Sequence, residues 1–205
     1  MKGKLLISLL IIISLLIVLL FNLYPIIYKD HIMEYSNQYE LDPYLVLAVI
    51  KVESNFDKDA RSKKDAKGLM QISNQTGKWA FESLSLDNFT PTRLYDPKTN
   101  IRIGTWYLNK LIRQFDSIDL ALASYNAGSG NVEGWLKDKA YSDDGTSLER
   151  IPFNETKEYV DKVNKSYTLY KKIYRKEYFL TENNILDKTI FKLRERATKY
   201  IRKLR

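Results

Sequence analysis

Asp42-Pro43-Tyr44-Leu45-Val46-Leu47-Ala48-Val49-Ile50-Lys51-Val52-Glu53-Ser54-Asn55-Phe56 is the stretch on which the reading of the fold turns. Asp42 is a good helix N-cap, and proline suits the first helical position that follows. Leu45 to Ile50 and Val52 are apolar on nearly all sides, which predicts a central core helix from Pro43 to Glu53. The β-branched residues also fit a strand, and the Asp-Pro cap favours the helix. Glu53 stands where this helix runs into polar Ser54 and Asn55. Partial desolvation at such a place disfavours the charged carboxylate and raises its pKa, which suits a general acid near neutral pH. Taken alone, a glutamate at a helix end is more often simply solvated.

Working outward, Asp30 to Glu40 reads as a short helix broken at Leu41-Asp42. Asp57 to Lys67 is a charged loop, Gly68 to Ile72 a short extended piece, and Asn74 to Ser83 a helix carrying Trp79 and Phe81. Ser85 to Tyr95, with Pro91, reads as a loop. Asp96-Pro97 repeats the capping device and opens a long helix to about Phe115, whose core stripe includes Ile101, Ile103, Trp106, Leu108 and Leu111. Ser117 to Tyr125 is helical, and a short helix runs through Trp135. Lys137 to Arg150 is a polar loop with Gly145. Asn154 opens a helix to about Phe179. The fold class is all-α with one small extended element.

Before this domain, Leu5 to Ile27 is apolar apart from Ser8, Ser14 and Asn22 and carries no charge. About 20 apolar residues span a bilayer. The stretch exceeds a typical signal-peptide core, and no clear small-x-small cleavage site follows. It is expected to be an uncleaved transmembrane signal-anchor, residues 5–27. Lys2 and Lys4 precede it, so the positive-inside rule places residues 1–4 in the cytoplasm and the rest outside the cell membrane.

The chain contains no cysteine, so disulfides, a lipoprotein-type cysteine anchor and Cys-based zinc sites are excluded. The single histidine, His31, is far from any nucleophile motif and reads as a surface residue. The formal net charge is +8, yet residues 165–205 hold 13 Lys or Arg against 4 Asp or Glu, so the basicity belongs to the C-terminal part. The tail, residues 180–205, places Ile185, Ile190, Phe191, Ala197 and Ile201 at near-helical spacing. It reads first as a solvated amphipathic helix, and second as a surface for anionic wall polymers or lipid head groups. Nucleic acid is not expected as a partner.

Four blocks stand in order: Glu53-Ser54, Gly68-Leu69-Met70-Gln71-Ile72, Tyr125-Asn126-Ala127-Gly128 and Ile151-Pro152-Phe153-Asn154-Glu155-Thr156-Lys157-Glu158-Tyr159-Val160, with Ser62 between the first two. Together they resemble the catalytic domain of soluble-lytic-transglycosylase (SLT) type lytic transglycosylases, relatives of goose-type lysozyme, from about His31 to Tyr170. The resemblance implies a lysozyme-like architecture over residues 30–179 and a lyase acting on peptidoglycan glycan strands, which the expected anchor would hold at the membrane. Glu53 would be the single catalytic acid and base, and the product an anhydro-muramic end. The resemblance also implies that Ser62, Gln71, Tyr125, Asn126 and Tyr159 line the cleft, with Gly68 and Met70 among the substrate-binding residues. Met70 and Phe56 suit an apolar wall and equally suit ordinary core packing. Where the family usually has Met then Pro after Gln71-Ile72, this chain has Ser73-Asn74.

Most glycosidases use a second carboxylate. Asp57, Asp59 and Asp65 are near in sequence and read as solvated loop acids. No cofactor is called for. No metal motif stands out either, because Asp57-Lys58-Asp59 lacks the Gly and distal Glu of a calcium loop. Two alternatives remain at this level: a goose-type hydrolytic lysozyme using water, and a non-catalytic wall-binding module of a membrane or envelope-spanning assembly.

Overall fold

The computed structural model describes residues 2–174. The basic tail and the expected continuation of the last helix to Phe179 lie outside the described residues. The chain divides into two units, one holding the N-terminal helix up to Ile27 and the other beginning at Tyr28.

In the first unit α1 spans Lys2–Leu23. Its window Leu6–Leu23 has a mean hydropathy of 3.0 and is 0% buried, long and apolar enough to cross a membrane. Two of its three polar exceptions are satisfied internally: Ser8 Oγ donates to Lys4 O at 3.0 Å and Asn22 Nδ2 to Val18 O at 3.0 Å. That is what a helix in hydrocarbon requires. The helix stops at Leu23, short of Ile27, because the residue before Pro25 is driven out of helical geometry.

The second unit is helical. Its elements are α2 (Lys29–Gln38), α3 (Pro43–Ser54), α4 (Asn74–Ser83), α5 (Pro97–Phe115), α6 (Ile118–Ala127), α7 (Ser129–Lys137) and α8 (Asn154–Ile173). The Asp42 carboxyl accepts from Tyr44 N at 2.9 Å and Pro43 takes the first position of α3. Every residue from Tyr44 to Ile50 is buried, so α3 is the central helix, packed against α8 and α2. Asp96 caps α5 through Thr99 N at 2.8 Å. The buried face of α5 meets α6, α2 and α4, and α6 in turn packs on α7 and α8. Across the core, Tyr167 Oη donates to Asp42 Oδ2 at 2.7 Å, fixing α8 to the start of α3.

Two local readings change. Pro91–Tyr95, expected as loop, winds into a 3₁₀ turn with Pro91 at its first position and Leu94 fully buried. Among the described residues there is no sheet. The small extended element consists of isolated bridges, Arg61 with Lys67 and Lys67 with Ile72, and Gly68 to Gln71 form the tight turn between them. The loop from Lys137 to Arg150 is cross-tied: the Asp144 carboxylate accepts from Thr146 N and Ser147 N, and Arg150 lies 5.2 Å over the Tyr141 ring.

Candidate active site

Glu53 sits in the last turn of α3, and the chain turns sharply behind it. Asn55 and Phe56 both take left-handed backbone, with φ of 50° and 65°. Two residues of that kind in succession end the helix at once and hold Glu53 at its rim. Ser54 Oγ donates to Leu69 O at 2.8 Å, joining the end of α3 to the Gly68–Gln71 turn.

That turn is held from beneath by Asn100, which is fully buried. Asn100 Oδ1 accepts from Met70 N at 2.7 Å, and Nδ2 donates to Lys67 O at 2.9 Å and Leu94 O at 2.6 Å. Gly68 is required here: its φ is 75°, and a Cβ would lie 2.3 Å from Leu94 O and 2.4 Å from Asn100 Nδ2. Gly68 is buried and serves the turn. Met70 is fully buried as well, packed on Gly104 of α5, where an added Cβ would come within 2.3 Å of Sδ. Its side chain belongs to the core, and its carbonyl faces the site, accepting from Tyr125 Oη at 2.9 Å.

Gln71 has φ 48° and donates through Nε2 to Gly68 O at 2.8 Å and Ala60 O at 3.2 Å. Its amide nitrogen is committed to the loop, which leaves Oε1 as the atom to offer a ligand. Asn126, at the end of α6, is fixed the opposite way. Thr156 Oγ1 donates to Asn126 Oδ1 at 2.7 Å, leaving Nδ2 as donor. Gly128 follows with φ 89°, and nothing lies within 4 Å of where a Cβ would stand. Ser62 is exposed; its Oγ accepts from Ala66 N at 3.0 Å and Lys64 N at 3.2 Å, organising the loop, and it makes no hydrogen bond to Glu53.

Burial pushes the Glu53 carboxyl up to about 7; the Tyr159 hydroxyl opposes this weakly. Tyr159 is 7% exposed, and its hydroxyl has no hydrogen-bond partner of good geometry among the described residues. It therefore acts on Glu53 as a neighbouring dipole, second to desolvation. Burial and the nearby Glu53 charge hold the hydroxyls of both Tyr159 and Tyr125 well above the usual phenol range. Both stay neutral donors. No other carboxylate perturbs Glu53.

The three loop acids are occupied elsewhere. Asp57 Oδ1 accepts from Asp59 N, and Asp59 pairs with Lys58 at 3.1 Å. Lys67, at 2.7 Å, and then Arg61 hold Asp65 down to about 2. The Ser73-Asn74 departure is accounted for locally. Ser73 Oγ caps α4 by accepting from Thr76 N at 3.0 Å, and Asn74 bridges Lys67 Nζ and Asp65 Oδ2, both at 2.9 Å.

The structure thus brings Glu53, Tyr159, Tyr125, the Met70 carbonyl and the Gly68–Gln71 turn together. Reading the sequence did not single out Asn100, Thr156 or Gly104. The signals were faint: one Asn and one Gly in the apolar stripe of α5, and one Thr inside the Asn154–Val160 block.

A family model described as the transglycosylase SLT domain matches residues 30–147. The soluble lytic murein transglycosylase of Escherichia coli strain K12 is 36% identical over 143 residues, covering 68% of this chain and 22% of that protein. Membrane-bound lytic murein transglycosylase C of Shigella sonnei is 33% identical over 168 residues, covering 71% of this chain and 46% of that protein. The chain therefore spans less than half the length of each. Among solved structures, the lytic transglycosylase Slt of Pseudomonas aeruginosa, an inactive Glu-to-Gln mutant, superposes with a TM-score of 0.65 at 33% identity. That match covers 73% of this chain and 24% of that one.

Proposed function

The chain belongs to the transglycosylase SLT domain family, and from that premise we propose that it is a lytic transglycosylase of peptidoglycan, cutting the bond between N-acetylmuramic acid and N-acetylglucosamine. The observation that carries the reading is the lone, desolvated Glu53. Held at about 7, it is half protonated near neutral pH, so one group can act first as acid and then as base.

In the first step Glu53 gives its proton to the glycosidic oxygen, the bond from that oxygen to the muramic C1 breaks, and the N-acetylglucosamine end leaves as an alcohol. The N-acetyl carbonyl meets the positive charge at C1, the substrate-assisted exception to the two-carboxylate rule. In the second step the Glu53 carboxylate takes the proton of the muramic C6 hydroxyl, whose oxygen bonds to C1. No water enters, and the product has a 1,6-anhydro end. Among the described residues no second carboxylate perturbs Glu53, which supports this route over one needing a base for water.

The remaining residues have donor and acceptor roles that fit amide-rich sugars. Asn126 Nδ2 donates and Gln71 Oε1 accepts, a complementary pair for N-acetyl groups. Tyr159 Oη steadies Glu53 in its ionised form. Tyr125 Oη, by bonding the Met70 carbonyl, fixes the turn against α6. Ser62 shapes the loop at the mouth. Helix α1 anchors the domain in the cell membrane with its N-terminus in the cytoplasm.

Mass spectrometry of soluble products from purified peptidoglycan tests the reaction. Products one water lighter than hydrolysis products, lost in Glu53→Gln, are expected. Reducing muramic ends would instead make the enzyme a hydrolase, and anhydro products persisting in Glu53→Gln would remove Glu53 from the mechanism.

A further inference from the structure

An aromatic path leads away from the acid. Tyr125, whose hydroxyl bonds the same turn that receives Ser54, lies 5.3 Å from Tyr107 between ring centroids. Tyr107 lies 6.1 Å from Trp79, and Trp79 lies 4.7 Å from Trp106. Trp106 is buried, but Trp79 is 43% exposed. A single exposed apolar residue is unremarkable on a protein surface. An indole left open at the end of a continuous aromatic run from a catalytic acid is a platform.

The platform carries a charge. Lys110 Nζ lies 5.6 Å from the Trp79 ring and 5.5 Å from the Trp106 ring, an arrangement that tethers an ammonium by cation–π attraction. Lys110 takes part in none of the ion pairs among the described residues, and its side chain is exposed. A cation fixed over an open indole without a carboxylate partner is complementary to an acid-bearing sugar. The C–H face of such a sugar would stack on Trp79, and its acid would meet Lys110.

We propose that Trp79, Tyr107 and Lys110 form an outlying subsite that selects a muramic acid residue over a neutral N-acetylglucosamine residue. The proposal rests on the peptidoglycan reading of Glu53. The recognised chemistry is a carboxylate attached to a pyranose. On naked strands it is the lactyl group, and on peptide-bearing strands it is the acid of the peptide stem.

The test separates binding from cleavage. Full-length Glu53→Gln protein in detergent micelles is titrated calorimetrically with three ligands: chito-oligosaccharide, naked glycan strands and peptide-bearing strands. Adding Lys110→Ala is expected to weaken acid-bearing strands about three- to fivefold relative to chito-oligosaccharide. Lys110→Arg retains the preference, and Lys78→Ala, an exposed neighbour on α4, changes nothing. Trp79→Ala weakens all three ligands about tenfold. A Lys110 effect confined to naked strands names the lactyl carboxylate, one confined to peptide-bearing strands names an acid of the stem, and one on both means that Lys110 meets either acid. Equal effects of Lys110→Ala on all three ligands, or none, overturn the subsite. Product analysis of the protein with Glu53 intact is read separately. If no strand is cleaved while Lys110-dependent binding persists, the reaction fails and the subsite stands.

Discussion

Glu53 shows how one residue ties function to stability. Its carboxyl titrates near 7 in the folded domain against 4.5 for an unperturbed glutamate, because burial penalises the charge. The folded state therefore binds the proton more tightly, and stability is greatest below about pH 4.5 and is lost as pH rises through 7. The loss amounts to roughly 3 kcal/mol. Glu53→Gln should thus lower turnover by about a thousandfold and raise the melting temperature at pH 8 by about 5 °C. Calorimetric scans at pH 4 and pH 8 check this, since the gain should vanish at the lower value. With Glu53 present, kcat/KM should fall about tenfold per pH unit above 7, because the first step needs the protonated acid. Thr156 makes a different prediction. Thr156→Val removes the donor that fixes Asn126, so KM should rise about fivefold with kcat little changed, and Thr156→Ser should restore it. Unchanged steady-state kinetics in the valine variant would deny Thr156 a positioning role. The sequence pointed to Glu53 through its place at a helix end together with the ordered blocks that follow it. It could not point to Asn100 or Thr156, most of whose partners lie 30 or more residues away.

Among the elements, helix starts were the most legible. Asp42-Pro43 and Asp96-Pro97 predicted the first residues of α3 and α5, because a cap acts over only a few residues. The Gly68–Gln71 turn was less so. Its backbone is set by a buried asparagine from another helix and by close packing under Leu94. Gly68→Ala should therefore cost about 3 kcal/mol or more, combining left-handed backbone with a clash against a main-chain oxygen. Gly128→Ala also meets a positive φ but open space, and should cost only about 1–2 kcal/mol. Urea unfolding of the two variants gives the ordering, and equal losses would deny the turn its packing role. The 3₁₀ turn at Pro91–Tyr95 was unreadable for the same reason, because Leu94 is buried by packing of the turn on α4 and α5.

For the whole molecule, α1 and the domain from Tyr28 are separate units, and only the domain holds the site. The full chain is expected to sediment with membranes and to resist high-salt and alkaline washing, as a chain anchored by a spanning helix does. Removal of residues 2–23 should release it to the soluble fraction with cleavage of peptidoglycan intact. Release of the full chain by salt alone would instead mean surface attachment. An apolar run, helix caps, the absence of cysteine and four ordered blocks are local or countable properties. From these the sequence by itself determined the apolar N-terminal helix and the all-α class, and it put Glu53 forward as the candidate acid. Tertiary structure alone decided that Met70 packs in the core while its carbonyl serves the site. It also decided that Gln71 and Asn126 present opposite ends of their amides, and that Trp79 stays open at the end of an aromatic run. Each of those depends on which distant group occupies a neighbouring position in space, and hydrogen-bond direction and exposure are properties of that neighbourhood rather than of the residue.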